Sequence, residues 1–336
     1  MKVVSIEKIR ISIGTASVLE LGSIPKFKDS PSTCYIMTYK SGHCTANCAF
    51  CPQARSSKSS EEMLSRVSWP IFKFKDFLIH LRNLNSTIKF KRICVQTLNY
   101  QENFRDLREI VIKVKENTNI PISVAIPPMT KEKLKQLKMI GVERIGIALD
   151  GATPEIFNKI KGEEVNGPYN WNEHMENLKE ALEIFSEGNV STHIIIGLGE
   201  TEKDVIERIE QLNNLKILVS LFAFTPIRGT KLEIKNQPSI MSFRKIQLGR
   251  YLIVNKNKSL NDFKFNKKGN LIKIDIDKPE LEYIVNYTDA FLTSGCPGCN
   301  RPYYTSKPSG PIYNYPRKLT ESEKKEIYNK LLKVIA

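Results

Sequence analysis

An α/β fold with a parallel sheet is what this sequence predicts, and three observations lead to it. Short β-branched runs alternate with amphipathic helical stretches six times between residues 33 and 225. Several runs, such as Ile145–Leu149 and Ile194–Ile196, are apolar without a break, as strands buried on both faces are. Turn residues follow the runs directly: Asp150-Gly151, Gly197-Leu198-Gly199-Glu200 and Thr225-Pro226. Those are carboxyl ends of strands, where barrels of this class place their chemistry.

The strand candidates, in order, are Thr33–Tyr39, Arg92–Thr97, Ile122–Ile126, Arg144–Leu149, Thr192–Ile196 and Leu221–Thr225. The helical patterns are Ala49–Arg55 (a helix-opening turn), Phe74–Leu84, Asn103–Asn117, Lys131–Met139, Trp171–Glu187 and Glu202–Leu212. Six repeats suit a partial (β/α)6 barrel or a full TIM-type barrel of parallel strands, with a C-terminal extension. After residue 236 the alternation stops. Ser239–Val254 reads as a helix, and the Asn/Lys-rich stretch 255–277 holds a hairpin signal at Lys268-Gly269-Asn270. Residues 295–316 are rich in Gly, Pro and Tyr, and a last helix, Glu321–Val334, opens on Thr320 with Glu323 three residues later. The expected organisation is an N-terminal extension over 1–30, a core barrel over 31–235, and a C-terminal region over 236–336.

The chain has 336 residues, 41% of them hydrophobic, and a formal charge of +15. That length supports one large domain with an appendage. No apolar run approaches the ~20 residues of a membrane span, and Met1–Arg10 lacks a signal-peptide core. A cytoplasmic protein is therefore expected. The lysines are dispersed, with no arginine-rich tail, which speaks against nucleic acid and for an acidic protein partner. A Lys-rich habit of proteins from hot environments gives the same charge.

Seven cysteines, an odd number, argue against a disulfide framework. Cys44, Cys48 and Cys51 stand within eight residues after the first strand, with Pro52 next. Three thiolates so spaced wrap one face of a [4Fe–4S] cube and leave one iron open. The competing reading is a zinc site with a remote fourth ligand, but zinc sites pair two close cysteines with a distant pair. Cys296-Pro297-Gly298-Cys299 is a second, two-thiolate clip, and Cys94 ends the second strand. Together these predict an auxiliary Fe–S cluster. Cys34 could take the place of Cys94 there, but inside the first strand it reads as core.

The C-x3-C-x2-C spacing with Phe50 before the last cysteine resembles the radical S-adenosylmethionine (SAM) superfamily. That resemblance implies SAM chelated by the open iron and cleaved by one electron to a 5′-deoxyadenosyl radical, so that Cys44, Cys48 and Cys51 are catalytic ligands. It also implies Phe50 near the adenine and backbone at Gly197, Gly199 and Glu200 approaching it. Asp150 would meet the ribose hydroxyls, and Ile227 would pack on adenine. Gln96-Thr97-Leu98-Asn99 stands where the superfamily has a glycine-rich segment for the SAM amino group. His174 is read mainly as a solvated helix-face residue, with the SAM carboxylate as its functional alternative.

Within the superfamily the chain resembles the biotin and lipoyl synthase group. Biotin synthases carry cysteines on the third and fifth strands, which read Ile122–Ile126 and Ser191–Ile196 here, without cysteine. His43–Arg55, Arg92–Tyr100, Gly197–Glu200 and Gly295–Arg317 resemble the second subunits of archaeal two-component lipoyl synthases. That implies a sulfurtransferase whose auxiliary cluster gives sulfide to an octanoyl chain on an acidic lipoyl-carrier protein. Its implied partners are a second radical SAM subunit and an electron donor such as ferredoxin. Arg301 or Ser294 would complete the auxiliary cluster. Two alternatives stand beside it: a radical SAM enzyme using that cluster for electron transfer or anchoring, and a non-catalytic zinc- or RNA-binding barrel.

Overall fold

The computed structural model describes residues 6–84 and 90–335. One eight-stranded sheet organises them, in the order β8-β7-β6-β5-β4-β2-β1-β3. Its strands are β1 (Lys8–Ile11), β2 (Thr33–Thr38), β3 (Ile71–Lys73), β4 (Arg92–Gln96), β5 (Ile122–Ile126), β6 (Val142–Ile147), β7 (Val190–Ile196) and β8 (Leu218–Ala223). β2 and β4 to β8 run parallel, and β1 pairs antiparallel with both β2 and β3. The six parallel strands match the six expected runs to within a few residues. The sheet does not close on itself, so the partial barrel is the one formed and the complete one is not.

The helices are α1 (Ile13–Val18), α2 (Phe74–Arg82), α3 (Asn103–Lys115), α4 (Lys131–Met139), α5 (Pro154–Lys161), α6 (Trp171–Phe185), α7 (Glu202–Asn214), α8 (Ile240–Lys256), α9 (Lys278–Tyr287) and α10 (Glu321–Leu331). They cover one face of the sheet. Ile93, Val95, Val124, Ile145, Ile147, Ile194 and Val219 point toward them in the main core. Sequence reading missed α1, α5 and α9. Helix α5 carries its own signals, a Thr153 hydroxyl capping Ile156 N and Pro154 in its first turn. The expected turn of helix at Ala49–Arg55 does not form. Its amides are spent in tight turns instead, Cys51 N on Cys48 O and Ala54 N on Cys51 O, and Pro52 has none to give. The hairpin signal is real: Phe263–Phe265 pairs with Leu271–Ile274. So is the last cap, where Thr320 and Glu323 exchange bonds.

The open side of the barrel is bridged by residues 293–315. On the β8 side, the Ser294 hydroxyl accepts from Leu221 N and Asn314 donates to Leu221 O. Toward β2, Asn300 receives Ser32 N and donates to Ser30 O. Higher up, Ser65 donates to Tyr304 O, and Arg66 donates to Tyr303 O and Ser306 O. The bonds at Leu221 satisfy backbone groups that β8, as an edge strand, otherwise leaves bare.

Candidate active site

Alternation along the strands builds the site. Most residues facing away from the helices are small or polar: Cys94 and Gln96, Ser123 and Ala125, Gly146 and Ala148, Ser191 and His193, Ser220, with the larger Tyr35, Ile195 and Phe222 on the same face. Closed barrels fill that layer with bulky branched side chains. Here the small residues leave a cavity of about 320 Å³. Cys48, Phe50, Cys51, Cys94, Cys296 and Cys299 all line it, with Asp150, Lys161, Tyr169, His174 and Arg301.

Cys44, Cys48 and Cys51 follow β2. The Cys44 sulfur accepts Asn99 N at 3.1 Å and Ala46 N at 3.4 Å. Burial pushes the Cys48 thiol up to about 12 and raises Cys51 and Cys44 as well. Buried thiols with amide donors aimed at one of them need a positive centre to ionise, and metal binding deprotonates a coordinating thiol. Among the described residues, no three His, Cys, Asp or Glu side chains converge on a point fit for a single metal ion. A cubane instead gives each thiolate its own iron, so its ligands stand apart. Three thiols supplied by one loop, two of them lining the cavity, fit a cubane that gives each its own iron.

Cys94, on β4, faces the same cavity, and the Cys296–Cys299 clip stands close enough to act on its ionisation. Burial, with that clip adding, raises the Cys94 thiol to about 12. Its sulfur accepts Gln96 Nε2 at 3.0 Å, and the Tyr35 hydroxyl lies 3.0 Å from the Cys299 sulfur. Gly298 turns the clip at φ +75°. Cys34 points to the opposite face of β2, fully buried among apolar side chains. Tyr35, Met37, Trp69, Leu98 and Tyr100 form a separate apolar cluster around the cavity cysteines. Arg301 lines the cavity and lies 4.1 Å over the Phe222 ring. The Ser294 hydroxyl is engaged with Leu221 N.

On the opposite wall Asp150 is the hub. Its carboxylate meets Lys161 Nζ at 2.7 Å and His193 Nε2 at 2.7 Å. Burial alone would raise its pKa, but those two partners outweigh burial and hold it well below the usual carboxylate range. Two lone-pair sites remain for a ligand. Lys161 also donates to Ala148 O and lies 4.9 Å over the Tyr169 ring. Lys161 and His193 were not anticipated. The signal for His193 was present, a polar residue at every second place along β7 (Ser191, His193). Lys161 had none, because α5 was not anticipated.

His174 corrects its main expectation. It is 1% exposed, wedged edge-on against Phe157 and Tyr169, and its Nδ1 bonds Asn170 O at 3.0 Å. Burial, then Lys161, lowers it to about 3, so it is neutral. The helix buries this face because Trp171, Leu178 and Phe185 share it.

Phe50 packs with Ile160, Ile195, Leu198 and Phe224, an apolar slot beside the first cysteines. Gly197, Gly199, Glu200 and Ile227 stand outside the cavity wall. Gly197 adopts φ +104°, and a Cβ there would lie 2.8 Å from Pro238. The Glu200 carboxylate accepts the amides of Gly197, Leu198 and Gly199, closing its own loop. Burial raises its pKa against those bonds. The Ile227 carbonyl accepts from the Thr230 hydroxyl. Ile195, Phe224 and Thr225 line the cavity in their place.

A family profile described as the radical SAM superfamily matches residues 38–212. The biotin synthase of Clostridium acetobutylicum is 26% identical over 206 residues, 60% of this chain and 58% of that protein. The biotin synthase of Methanococcus vannielii is 27% identical over 238 residues, 67% of each. The chain thus spans under two thirds of the Clostridium protein. Among solved structures, the FeFe-hydrogenase maturase HydG from Carboxydothermus hydrogenoformans superimposes at a TM-score of 0.50 and 18% identity, over 68% of this chain and 52% of that one. Streptococcus suis SuiB does so at 0.50 and 14%, over 69% and 48%. Both share the fold.

Proposed function

The chain belongs to the radical SAM superfamily, and from that premise we propose that it inserts sulfur into unactivated carbon, as a lipoyl synthase component. It is a radical SAM enzyme related to biotin synthase, a class that works with SAM and a [4Fe–4S] cluster. The single observation that carries the finer reading is that Cys48 and Cys51 of the first set line one cavity with Cys94, Cys296 and Cys299.

A cluster held by the first cysteine set would supply the electron that splits SAM, and with it the power to take hydrogen from an unactivated carbon, and a cluster held by the second set would supply sulfur. The chain's own residues prepare that event. Cys44, Cys48 and Cys51 hold the first cluster, and Cys94, Cys296 and Cys299 hold the second. Phe50, Ile195 and Phe224 exclude water and bound an apolar slot. Asp150, ionised beside Lys161 and His193, accepts the ribose hydroxyls. The remaining wall is small and largely apolar, suiting an acyl chain. The +15 charge suits an acidic octanoylated carrier, with a second radical SAM subunit and a ferredoxin-type donor as further partners. No helix among the described residues is long and apolar enough to cross a membrane.

A biotin synthase-like reaction is the second reading, favoured by the relatives. Against it, the cavity-facing residues of β5 and β7 are Ser123, Ala125, Ser191 and His193, none a thiol. Anaerobic protein given SAM, reductant and either an octanoylated carrier with its partner subunit or dethiobiotin separates the two. Mass spectrometry is expected to find sulfur added to the carrier, with 5′-deoxyadenosine formed. Sulfur appearing only in dethiobiotin overturns the lipoyl assignment.

A further inference from the structure

Tyr35 sits at the centre of the second cysteine set. It pairs in register with Cys94 across β2 and β4, and its hydroxyl lies 3.0 Å from the Cys299 sulfur. The direction of that bond follows from its neighbours. The Tyr35 oxygen already accepts the Arg301 amide at 3.2 Å, which uses one lone pair. A cysteine that ligates iron carries no proton. The bond therefore runs from the Tyr35 hydroxyl to the Cys299 sulfur.

The phenol is held in that position from several sides. Tyr35 N donates to the Thr15 hydroxyl at 2.9 Å, and Tyr35 O accepts Ser12 N at 3.1 Å. Its ring packs on Tyr304 at 5.4 Å, and Tyr304 meets Trp69 edge-on. Almost no solvent reaches the group, at 2% exposure. A donor so fixed, in dry surroundings, acts strongly on a thiolate. Hydrogen bonds to cluster sulfurs spread negative charge and favour the reduced state.

We propose that Tyr35 is a positioning residue of the auxiliary cluster, fixing the Cys299 thiolate through its hydroxyl and raising that cluster's reduction potential. This rests on the auxiliary-cluster reading above. A lower potential in its absence means that the cluster accepts less readily the electron left when its sulfide bonds to a carbon radical. Tyr35 is thereby coupled to sulfur transfer without touching substrate.

The test uses the full chain, reconstituted anaerobically, as wild type, Tyr35→Phe and Tyr35→Gln. Iron and sulfide are counted, and each cluster is titrated by potential-controlled EPR, the first cluster serving as internal reference. In Tyr35→Phe the second midpoint is expected to fall by about tenfold in the reduction equilibrium, ~59 mV for one electron. The first midpoint stays in place, and Tyr35→Gln, whose amide still donates, recovers much of the shift. Two clusters with an unchanged second midpoint overturn the proposal. If Tyr35→Phe loses the second cluster, its retention in Tyr35→Gln supports the proposal and its loss in both variants overturns it. Wild type holding iron for one cluster only is the separate outcome in which the auxiliary-cluster reading itself fails, and the proposal with it.

Discussion

The two cysteine sets of this molecule are built in opposite ways. Cys44, Cys48 and Cys51 come from one loop, and the donors to Cys44 are backbone amides of Ala46 and Asn99. Cys94, Cys296 and Cys299 come from β4 and from a segment two hundred residues later, and their donors are the side chains of Gln96 and Tyr35. A loop carries its geometry with it, and amide donors survive substitution. An assembled set depends on the sheet, on the segment that bridges its open side, and on side chains that a single substitution removes.

That contrast can be broken most sharply at the first set. Cys48→Ala is expected to abolish 5′-deoxyadenosine formation, a loss beyond the roughly 10–100-fold that removing an outer-shell partner costs. Iron bound by the second set should remain, so about half the wild-type iron is the reading to look for in anaerobic analysis. Equal loss of all iron would mean that the sets do not fold independently.

Cys299→Ser addresses the other set. It should abolish product thiolation while SAM is still split, seen as 5′-deoxyadenosine without thiolated product. Retention of thiolation would show that the clip is not a cluster ligand.

The wall beside the first set provides a smaller effect, read in stability. His174 is held at about 3 against an ordinary value near 6.5. Between those values the unfolded chain binds a proton that the folded chain refuses. Stability is therefore full above about pH 6.5 and falls as pH drops toward 3. From pH 7 to pH 5 this amounts to about 2 kcal/mol. Denaturant titrations should show that His174→Phe loses less stability over this interval than wild type, by about that amount. The smallest effect belongs to Cys34→Ala, which should leave iron content unchanged and cost ~1 kcal/mol of stability. Lost iron there would place Cys34 among the ligands.

Much of this was legible from residue order. The six parallel strands showed as apolar runs, and the first cysteine set announced itself by spacing. The hairpin at Gly269 and the cap at Thr320 are local signals that tertiary context did not override. Other features escaped for physical reasons. Helix α5 was passed over because it follows directly on the Asp150-Gly151 turn, although its cap at Thr153 and its apolar positions Phe157 and Ile160 stand in the sequence. His174 looked solvated because its neighbours Asn172, Glu173 and Glu176 are polar, yet its own position falls on the buried stripe of α6. The glycines at 197 and 199 suggested a close ligand approach, and at the first a Cβ would also meet Pro238.

Sequence alone determined the parallel α/β plan, the turn residues that end its strands, and a three-thiolate loop within eight residues. These are consequences of short-range geometry, which spacing encodes directly. The tertiary structure decided that the sheet stays open and that residues 293–315 bridge it, which brings Cys296 and Cys299 to the cavity that Cys94 lines. It also tied Asp150 to both Lys161 and His193. Such meetings depend on strand register and on loops returning from far along the chain, and no local pattern of residues carries that information.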